Sequence, residues 1–209
     1  HTYGLKKHRH RIDLILAWNS GAKDYLVKGG YFPNADIKAT GCIRFDFHTN
    51  KKLHRNLSRD EFCMKYGLDP SKPIILWASG TSHANRESQL DYIWEKRLST
   101  SFRTYEWHKD CWVDNTDALK HSCQMVANLS MDIRGEANLL VKPHPQEVAS
   151  NYDALRRECP TIVFLPAQDS IEKHNPFIDI LLHFRCTTSY ESWQLNIARP
   201  TIHLTSPTI

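Results

Sequence analysis

Polar residues suited to binding a phosphate follow three segments of the chain that are predicted to be buried strands. They are Ser79-Gly80-Thr81, Lys142-Pro143-His144-Pro145 and Cys186-Thr187-Thr188-Ser189, the last followed closely by Glu191. Glycine lets a backbone come close to an anion, and the side chains of lysine, histidine, serine and threonine donate hydrogen bonds to one. Ligands of open parallel sheets bind beyond the carboxyl ends of the strands. The three segments therefore predict a site for a nucleotide phosphate.

His144 stands between two prolines directly after one of these strands. Proline restricts its own backbone and that of the residue before it, so we expect the imidazole to be held in one direction. In that position it can hydrogen-bond a phosphate and stabilise the negative charge of a leaving nucleotide, which is a catalytic role. The alternative is a histidine that only orders a turn.

Thr188 and Glu191 have the spacing of a capping box, which places Thr187 and Ser189 at the N-terminus of a predicted helix. Free backbone N–H groups and the positive end of the helix dipole make such a position an anion site. A well-capped helix without a ligand remains the other interpretation of this triplet.

Apolar runs alternate with segments of helical periodicity, which is typical of a parallel sheet covered by helices. Strands are predicted at residues 12–18, 37–40, 74–78, 138–142, 161–165, 177–183 and 200–204, the first of them buried. Helices are predicted at residues 21–28, 59–66, 87–98, 117–134, 150–158, 170–174 and 188–196. The fold class is therefore α/β, with a parallel sheet covered by helices. Residues 99–113 carry aromatic side chains without a clear period, and they could be a loop or an insertion.

The polar, basic stretch at residues 47–57 is predicted to be a linker between two domains, residues 1–46 and residues 58–209. The second domain begins sharply. Ser58 and Glu61 have capping-box spacing, and Gly67 is the expected C-terminal cap of the same helix.

The composition and the cysteine spacing argue against several classes of protein. Hydrophobic residues make up 41% of the chain and charged residues 24%, as in ordinary globular proteins. No apolar run approaches the ~18 to 20 residues that span a bilayer. The six cysteines form no CxxC pair, so we expect neither a disulfide framework nor a zinc site, and a reducing cytoplasm fits best.

Basic residues cluster at residues 6–11 and 51–55, although the net charge is only +4. No aromatic-interleaved motif accompanies these clusters, which disfavours nucleic acid as a partner. Peripheral contact with an anionic membrane or acceptor is one alternative, and a solvated surface is the other.

Three short motifs follow one another along the chain. They are Gly41-Cys42-Ile43-Arg44-Phe45-Asp46, then Lys142-Pro143-His144-Pro145, then Thr187-Thr188-Ser189-Tyr190-Glu191. In this order they resemble bacterial surface-carbohydrate biosynthesis proteins of the GT-B type, a group that includes Kdo and sialic-acid transferases and the related glycerophosphotransferases. The resemblance implies two Rossmann-like domains, of which the C-terminal one binds the donor. Residues 1–46 would then be the tail of an incomplete, acceptor-side domain.

The resemblance also implies roles for single residues. His144, Thr188 and Ser189 would contact the donor phosphate, and Glu191 would lie near the nucleotide. The segments with Ser79, Gly80 and Lys142 complete the predicted donor site.

Asp46 falls where the family's Gly-x-x-Arg-x-Asp element enters the cleft between the domains. It is either a catalytic carboxylate or the partner of Arg44. Ile43 departs from the family pattern, which has a small residue or proline at that position.

The implied activity is transfer of a sugar, Kdo or sialic acid, from a CMP-activated donor to a surface glycan or lipid-linked acceptor. Two alternatives stay open: transfer of a polyol phosphate from a CDP-alditol, and a non-catalytic nucleotide-binding module. The nucleotide sugar is a substrate, so no cofactor is expected. No Asp-x-Asp motif is present, and none of the site residues is assigned to a metal. The expected location is the cytoplasm, and the inner face of the membrane is one alternative within it.

Overall fold

The computed structural model describes residues 6–41, 58–98, 104–184 and 200–204. The chain divides into two compact units. The first comprises residues 1–47 and 86–111, and the second comprises residues 48–85 and 112–209. Residues 86–111 thus group with the N-terminal unit, although the sequence analysis placed them in the second domain. The predicted linker at residues 47–57 lies outside the described residues.

The helices and strands alternate along the chain. The α-helices are α1 (Ser20–Lys28), α2 (Arg59–Tyr66), α3 (Leu90–Ile93), α4 (Tyr105–Asp132) and α5 (Asp153–Glu158). The strands are β1 (Leu14–Ala17), β2 (Asp36–Ala39), β3 (Ile74–Ala78), β4 (Asn138–Lys142), β5 (Val163–Phe164), β6 (Ile180–His183) and β7 (Thr201–His203). Turns of 3-10 helix lie at Lys6–Arg11, Glu87–Gln89, Ala149–Tyr152, Ile171–Lys173 and Asn175–Phe177, and a π-helical turn lies at Trp94–Leu98. No helix in the described ranges is long and apolar enough to cross a bilayer.

In the first unit, β1 and β2 form a parallel pair. Asn19 caps the N-terminus of α1, and its side chain accepts a hydrogen bond from the backbone N–H of Ala22 at 2.7 Å. The prediction that β1 is a buried strand was wrong. Leu14 and Leu16 are 52% and 53% exposed, because the strand pairs with only one described neighbour and turns one face outward.

In the second unit, five parallel strands form a sheet in the order β5-β4-β3-β6-β7. The chain moves outward from β3 to β4 and β5, and then returns to the other side of β3 with β6 and β7. This order is that of an open, doubly wound sheet, and it places the topological switch point between β3 and β6. The α/β class is confirmed, and the sheet is compatible with a Rossmann-like architecture.

Both faces of the sheet are buried, and the alternation of side chains along β3 divides the core in two. Ile75 and Trp77 face one cluster, which contains Leu119 and Val126 of α4 and Leu155 of α5. On the opposite face, Ile74, Leu76 and Ala78 of β3 pack in a cluster with Phe62 and Cys63 of α2. In a parallel sheet that is covered on both sides, the sequence of each strand is a continuous apolar run. This is why the bounds of β3 were predicted correctly.

Helix α4 is longer than expected. It was predicted to begin at residue 117, but it begins at Tyr105, behind Thr104, whose hydroxyl accepts from the N–H of Trp107 at 3.1 Å. The side chains of His108, Trp112 and Thr116 are buried at four-residue intervals. Histidine and threonine on the inner face concealed the helical period from a hydropathy-based prediction.

The predicted capping of α2 is confirmed. Ser58 Oγ accepts from the N–H of Glu61 at 3.2 Å, and the backbone N–H of Ser58 donates to Glu61 Oε2 at 2.7 Å. These hydrogen bonds lower the pKa of the Glu61 carboxyl. Gly67 ends the helix with φ 65°, in the left-handed region that favours glycine.

Candidate functional site

The strands β3, β4 and β6 end level with one another. Ala78, the last residue of β3, is in register with Lys142 of β4 on one side and with His183 of β6 on the other. Ser79 extends the ladder by one residue, since its N–H donates to the carbonyl of Lys142 at 3.1 Å. The residues that follow these strands therefore meet at the carboxyl edge of the sheet, beside the switch point.

The carboxylate of Glu147 is the centre of the polar contacts at this edge. Its Oε1 accepts from Ser79 Oγ at 2.5 Å, and from the backbone N–H and the hydroxyl of Thr81, both at 2.8 Å. Its Oε2 accepts from the N–H of His144 at 2.9 Å and from the hydroxyl of Tyr152 at 2.6 Å. One carboxylate thus ties together the loops that follow β3 and β4.

A tight turn brings Glu147 to this position. The N–H of Glu147 donates to the carbonyl of His144 at 2.9 Å, which closes a turn with Pro145 in its second position. Proline favours that position because its φ is already fixed near the value that the turn requires. The turn sends the chain back over the end of β4, toward the loop of Ser79.

His144 is half-buried and neutral at physiological pH. Burial is the main cause that lowers its pKa; Glu147 opposes this effect and the charge of Lys142 adds to it. Its Nδ1 accepts from the N–H of Gln146 at 3.2 Å, so the proton of the neutral ring is on Nε2. No hydrogen bond joins Nε2 to any of the described residues. The ring thus offers one N–H donor to a ligand.

Lys142 is buried, with 6% of its surface exposed. Its Nζ donates to the carbonyl of Ala167 at 2.7 Å and to that of Pro143 at 3.2 Å. The ammonium group therefore fastens the loop after β5 to the end of β4. The predicted contact of Lys142 with a phosphate stays a prediction.

The Ser79-Gly80-Thr81 segment follows β3 as predicted, but its hydroxyls are directed to Glu147. Ser79 and Thr81 are 2% and 1% exposed, and Gly80 between them is partly buried. An internal carboxylate thus occupies the position in which an external anion was expected to contact these hydroxyls. Gly80 stays a predicted point of approach for a phosphate.

Glu147 and Tyr152 were not predicted as site residues, because their roles depend on bringing the β3 and β4 loops together. His183 was not predicted either, although the level strand ends place it beside Ala78. The ring of His183 stacks on that of His203, with 5.1 Å between centroids and 20° between planes. Burial, and then the neighbouring His203, lower the pKa of His183. The signal was available, because His183 is the last residue of a predicted strand.

The remaining predicted site residues, Asp46, Thr187, Thr188, Ser189 and Glu191, lie outside the described residues. Within the described ranges, no group of three or more histidine, cysteine, aspartate or glutamate side chains is arranged to hold a metal ion. No protein-family model matches the sequence, and no curated protein is significantly similar to it.

Proposed function

We propose that the second unit binds the donor nucleotide of a GT-B glycosyltransferase, and that the protein transfers a sugar from a CMP-activated donor to a surface glycan acceptor. The observation that carries the proposal is the His144 imidazole. It stands at the carboxyl edge of a parallel sheet, with Nδ1 engaged by Gln146 and the Nε2–H left for a ligand. The choice of a CMP-activated sugar rests on the resemblance of the sequence motifs.

The chemistry of the transfer suits a neutral donor at this position. As the bond between the anomeric carbon and the phosphate oxygen breaks, negative charge accumulates on the phosphate of the leaving CMP. The Nε2–H of His144 then donates a hydrogen bond to that oxygen, which is worth about 1.5–3 kcal/mol for a charged acceptor. Because burial lowers the pKa of His144, the ring acts as a hydrogen-bond donor and not as a cation.

The buried Lys142, at the end of β4, helps to stabilise the negative charge of the leaving phosphate. Its ammonium donates to the backbone carbonyls of Ala167 and Pro143, and a positive charge at this place favours an anion at the edge of the sheet. A phosphate bound near Gly80 and His144 is such an anion. Asp46 remains the proposed catalytic carboxylate on the acceptor side, and Asp46→Asn should reduce transfer by orders of magnitude without changing nucleotide affinity.

Calorimetric titration with CMP, CDP and UDP tests the proposal. We expect CMP to bind most tightly, and His144→Ala to weaken its binding about tenfold or more, as the loss of a hydrogen bond to a charged group does. His121→Ala is the matched control, since His121 is an exposed residue of α4 in the same unit.

Three outcomes contradict the proposal or redirect it. If none of the nucleotides binds to the folded protein, the proposal is wrong. If His144→Ala binds CMP as the wild type does, the assignment of His144 is wrong. Tighter binding of CDP than of CMP would favour transfer of a polyol phosphate instead.

A further inference from the structure

The hydrogen bonds to the carboxylate of Glu147 leave it no lone pair for a substrate. Three donors from the β3 loop converge on Oε1, and two further donors, from His144 and Tyr152, converge on Oε2. A carboxylate offers about four lone-pair sites, so protein groups saturate this one. A general base needs an open lone pair for the proton that it accepts. Glu147 is therefore unsuited to proton transfer, and its contacts indicate another role.

We propose that Glu147 is the positioning residue of the donor site, and that it acts on the bound nucleotide through the direction of the His144 imidazole. This inference rests on the function proposed above. Glu147 binds both backbone groups of His144, since its Oε2 accepts from the N–H at 2.9 Å and its own N–H donates to the carbonyl at 2.9 Å. With both groups held, the turn sets the ring against the N–H of Gln146.

Tyr152 connects this arrangement to the core of the unit. Its side chain is fully buried, and its ring makes edge contacts with Trp77 and Phe164, with 5.9 Å and 5.7 Å between centroids. Its hydroxyl donates to Glu147 Oε2 at 2.6 Å. Burial, and then the Glu147 charge, raise the pKa of the Tyr152 hydroxyl, so it stays protonated and keeps donating. The position of Glu147 is therefore tied to the buried core of the unit.

Substitution by glutamine separates the charge of Glu147 from its shape. A glutamine side chain has one accepting oxygen and one donating NH₂ group. If the NH₂ replaces Oε2, it faces the N–H of His144; if it replaces Oε1, it faces the N–H of Thr81. A hydroxyl can rotate and accept instead, but a backbone N–H cannot. In either orientation, Glu147→Gln leaves one of these two amides without its acceptor.

The ligand-free protein provides the first test, by NMR of the histidine ring nitrogens. In the wild type we expect His144 to populate one neutral tautomer, with the proton on Nε2. In Glu147→Gln the ring should populate both tautomers, because in the orientation that turns the NH₂ toward His144 the backbone N–H of His144 loses its acceptor. Glu136→Gln is the control, since Glu136 is an exposed residue of the turn after α4. A wild-type tautomer in both Glu147→Gln and Glu147→Ala, the second of which removes the acceptor of the His144 N–H altogether, would overturn the proposal.

A double-mutant cycle on CMP affinity provides the second test. Glu147→Gln should weaken binding about tenfold, as the loss of one hydrogen bond to a charged group does. In the His144→Ala background it should have little further effect, because a residue that acts through another adds nothing once that other is removed. Additive losses would show that Glu147 acts on the ligand independently of His144, and would overturn the positioning role.

Melting temperatures distinguish positioning from a loss of fold. If Glu147→Gln does not fold, Glu147→Asp replaces it in both tests, since it keeps the charge on a shorter side chain. Mixed tautomers and a non-additive affinity loss are then expected again, and a wild-type tautomer contradicts the proposal again. The proposed function and the positioning role of Glu147 can be refuted independently of each other. A wild-type protein that binds no nucleotide refutes the function, whereas the tautomer measurement needs no ligand and decides the role of Glu147 alone.

Discussion

Arg59 and Asp179 form an ion pair at the amino-terminal edge of the sheet, with 2.9 Å between Nη2 and Oδ2. The same Oδ2 accepts from the N–H of Ile74, the first residue of β3, at 2.8 Å. Arg59 also donates to the carbonyls of Lys72 at 2.9 Å and Phe177 at 3.2 Å. One guanidinium thus joins the start of α2 to the segments that precede β3 and β6, far from the proposed donor site.

Arg59→Ala should lower the free energy of unfolding by about 1–3 kcal/mol, because several hydrogen bonds to charged or carbonyl partners are lost together. Both side chains of the ion pair are partly exposed to water, which weakens their attraction, so the upper end of this range is the largest loss that we expect. Urea denaturation measures the change, and Arg157→Ala on the exposed side of α5 is the matched control. If both variants unfold at the same urea concentration, the contacts of Arg59 contribute nothing to stability.

The stability of the protein should fall as the pH falls from about 6.5 to about 4, the ordinary and the folded pKa of His174. Burial is the main cause that lowers the pKa of His174 to about 4; Asp169 opposes the shift, and the charge of Lys142 adds to it. The folded protein keeps this ring neutral, while the unfolded chain binds a proton below about 6.5. Protons are therefore taken up on unfolding in this window, and each unit of lower pH favours the unfolded state.

His174→Phe keeps a ring between Phe62 and Tyr66, whose centroids lie 6.0 Å and 5.7 Å from that of His174. It should remove up to about 3 kcal/mol of the pH-dependence between pH 6.5 and 4. Urea denaturation at a series of pH values measures the slope, and the exposed His121→Ala should not change it. An unchanged slope in His174→Phe would assign the pH-dependence to other groups.

Gly67→Ala should cost about 1 kcal/mol of stability, because an L side chain is strained at positive φ. The φ of Gly67 is 65°, and a Cβ placed there meets no atom within 4 Å. The cost therefore comes from the backbone and not from a clash. Asparagine tolerates this conformation, so Gly67→Asn should lose less; equal losses in thermal melts would point to packing instead.

The thiol of Cys123 should be nearly inert in the native protein. Burial, and then the charge of Glu147, raise its pKa from 9.0 to about 12. At pH 8 its thiolate fraction is then about a thousandfold lower than in the unfolded chain, and the thiolate is the reactive form. Alkylation by iodoacetamide, followed by mass spectrometry, measures the rate in native and in urea-unfolded protein. Native and unfolded rates within tenfold of each other would contradict the shift.

The sequence predicted the sheet best where local signals agree. Strands β3 and β4 were predicted with their correct bounds, because each is an apolar run limited by a proline, at Pro73 and at Pro143. The start of α4 was missed, since the inner face of its first turns contains His108 and Thr116. Hydropathy does not recognise polar residues that are buried with partners.

The candidate site was predicted less completely. His144 stands at the predicted edge of the sheet, but the partner of the Ser79 hydroxyl is Glu147, 68 residues further along the chain. No local pattern links the two, because their contact arises only when β3 and β4 pair. A sequence can indicate which residues follow a strand, whereas it does not show which of them satisfy one another.

The strand order has a consequence for the rate of folding. The central strand β3 is completed by β6, and the contact between Ile74 and Asp179 joins residues that are 105 positions apart. Closing so long a loop costs conformational entropy before the contact is gained. Domains dominated by such distant contacts fold in about milliseconds to seconds, far more slowly than helical bundles. During synthesis on a ribosome, one side of β3 must therefore stay without its native neighbour until β6 has emerged.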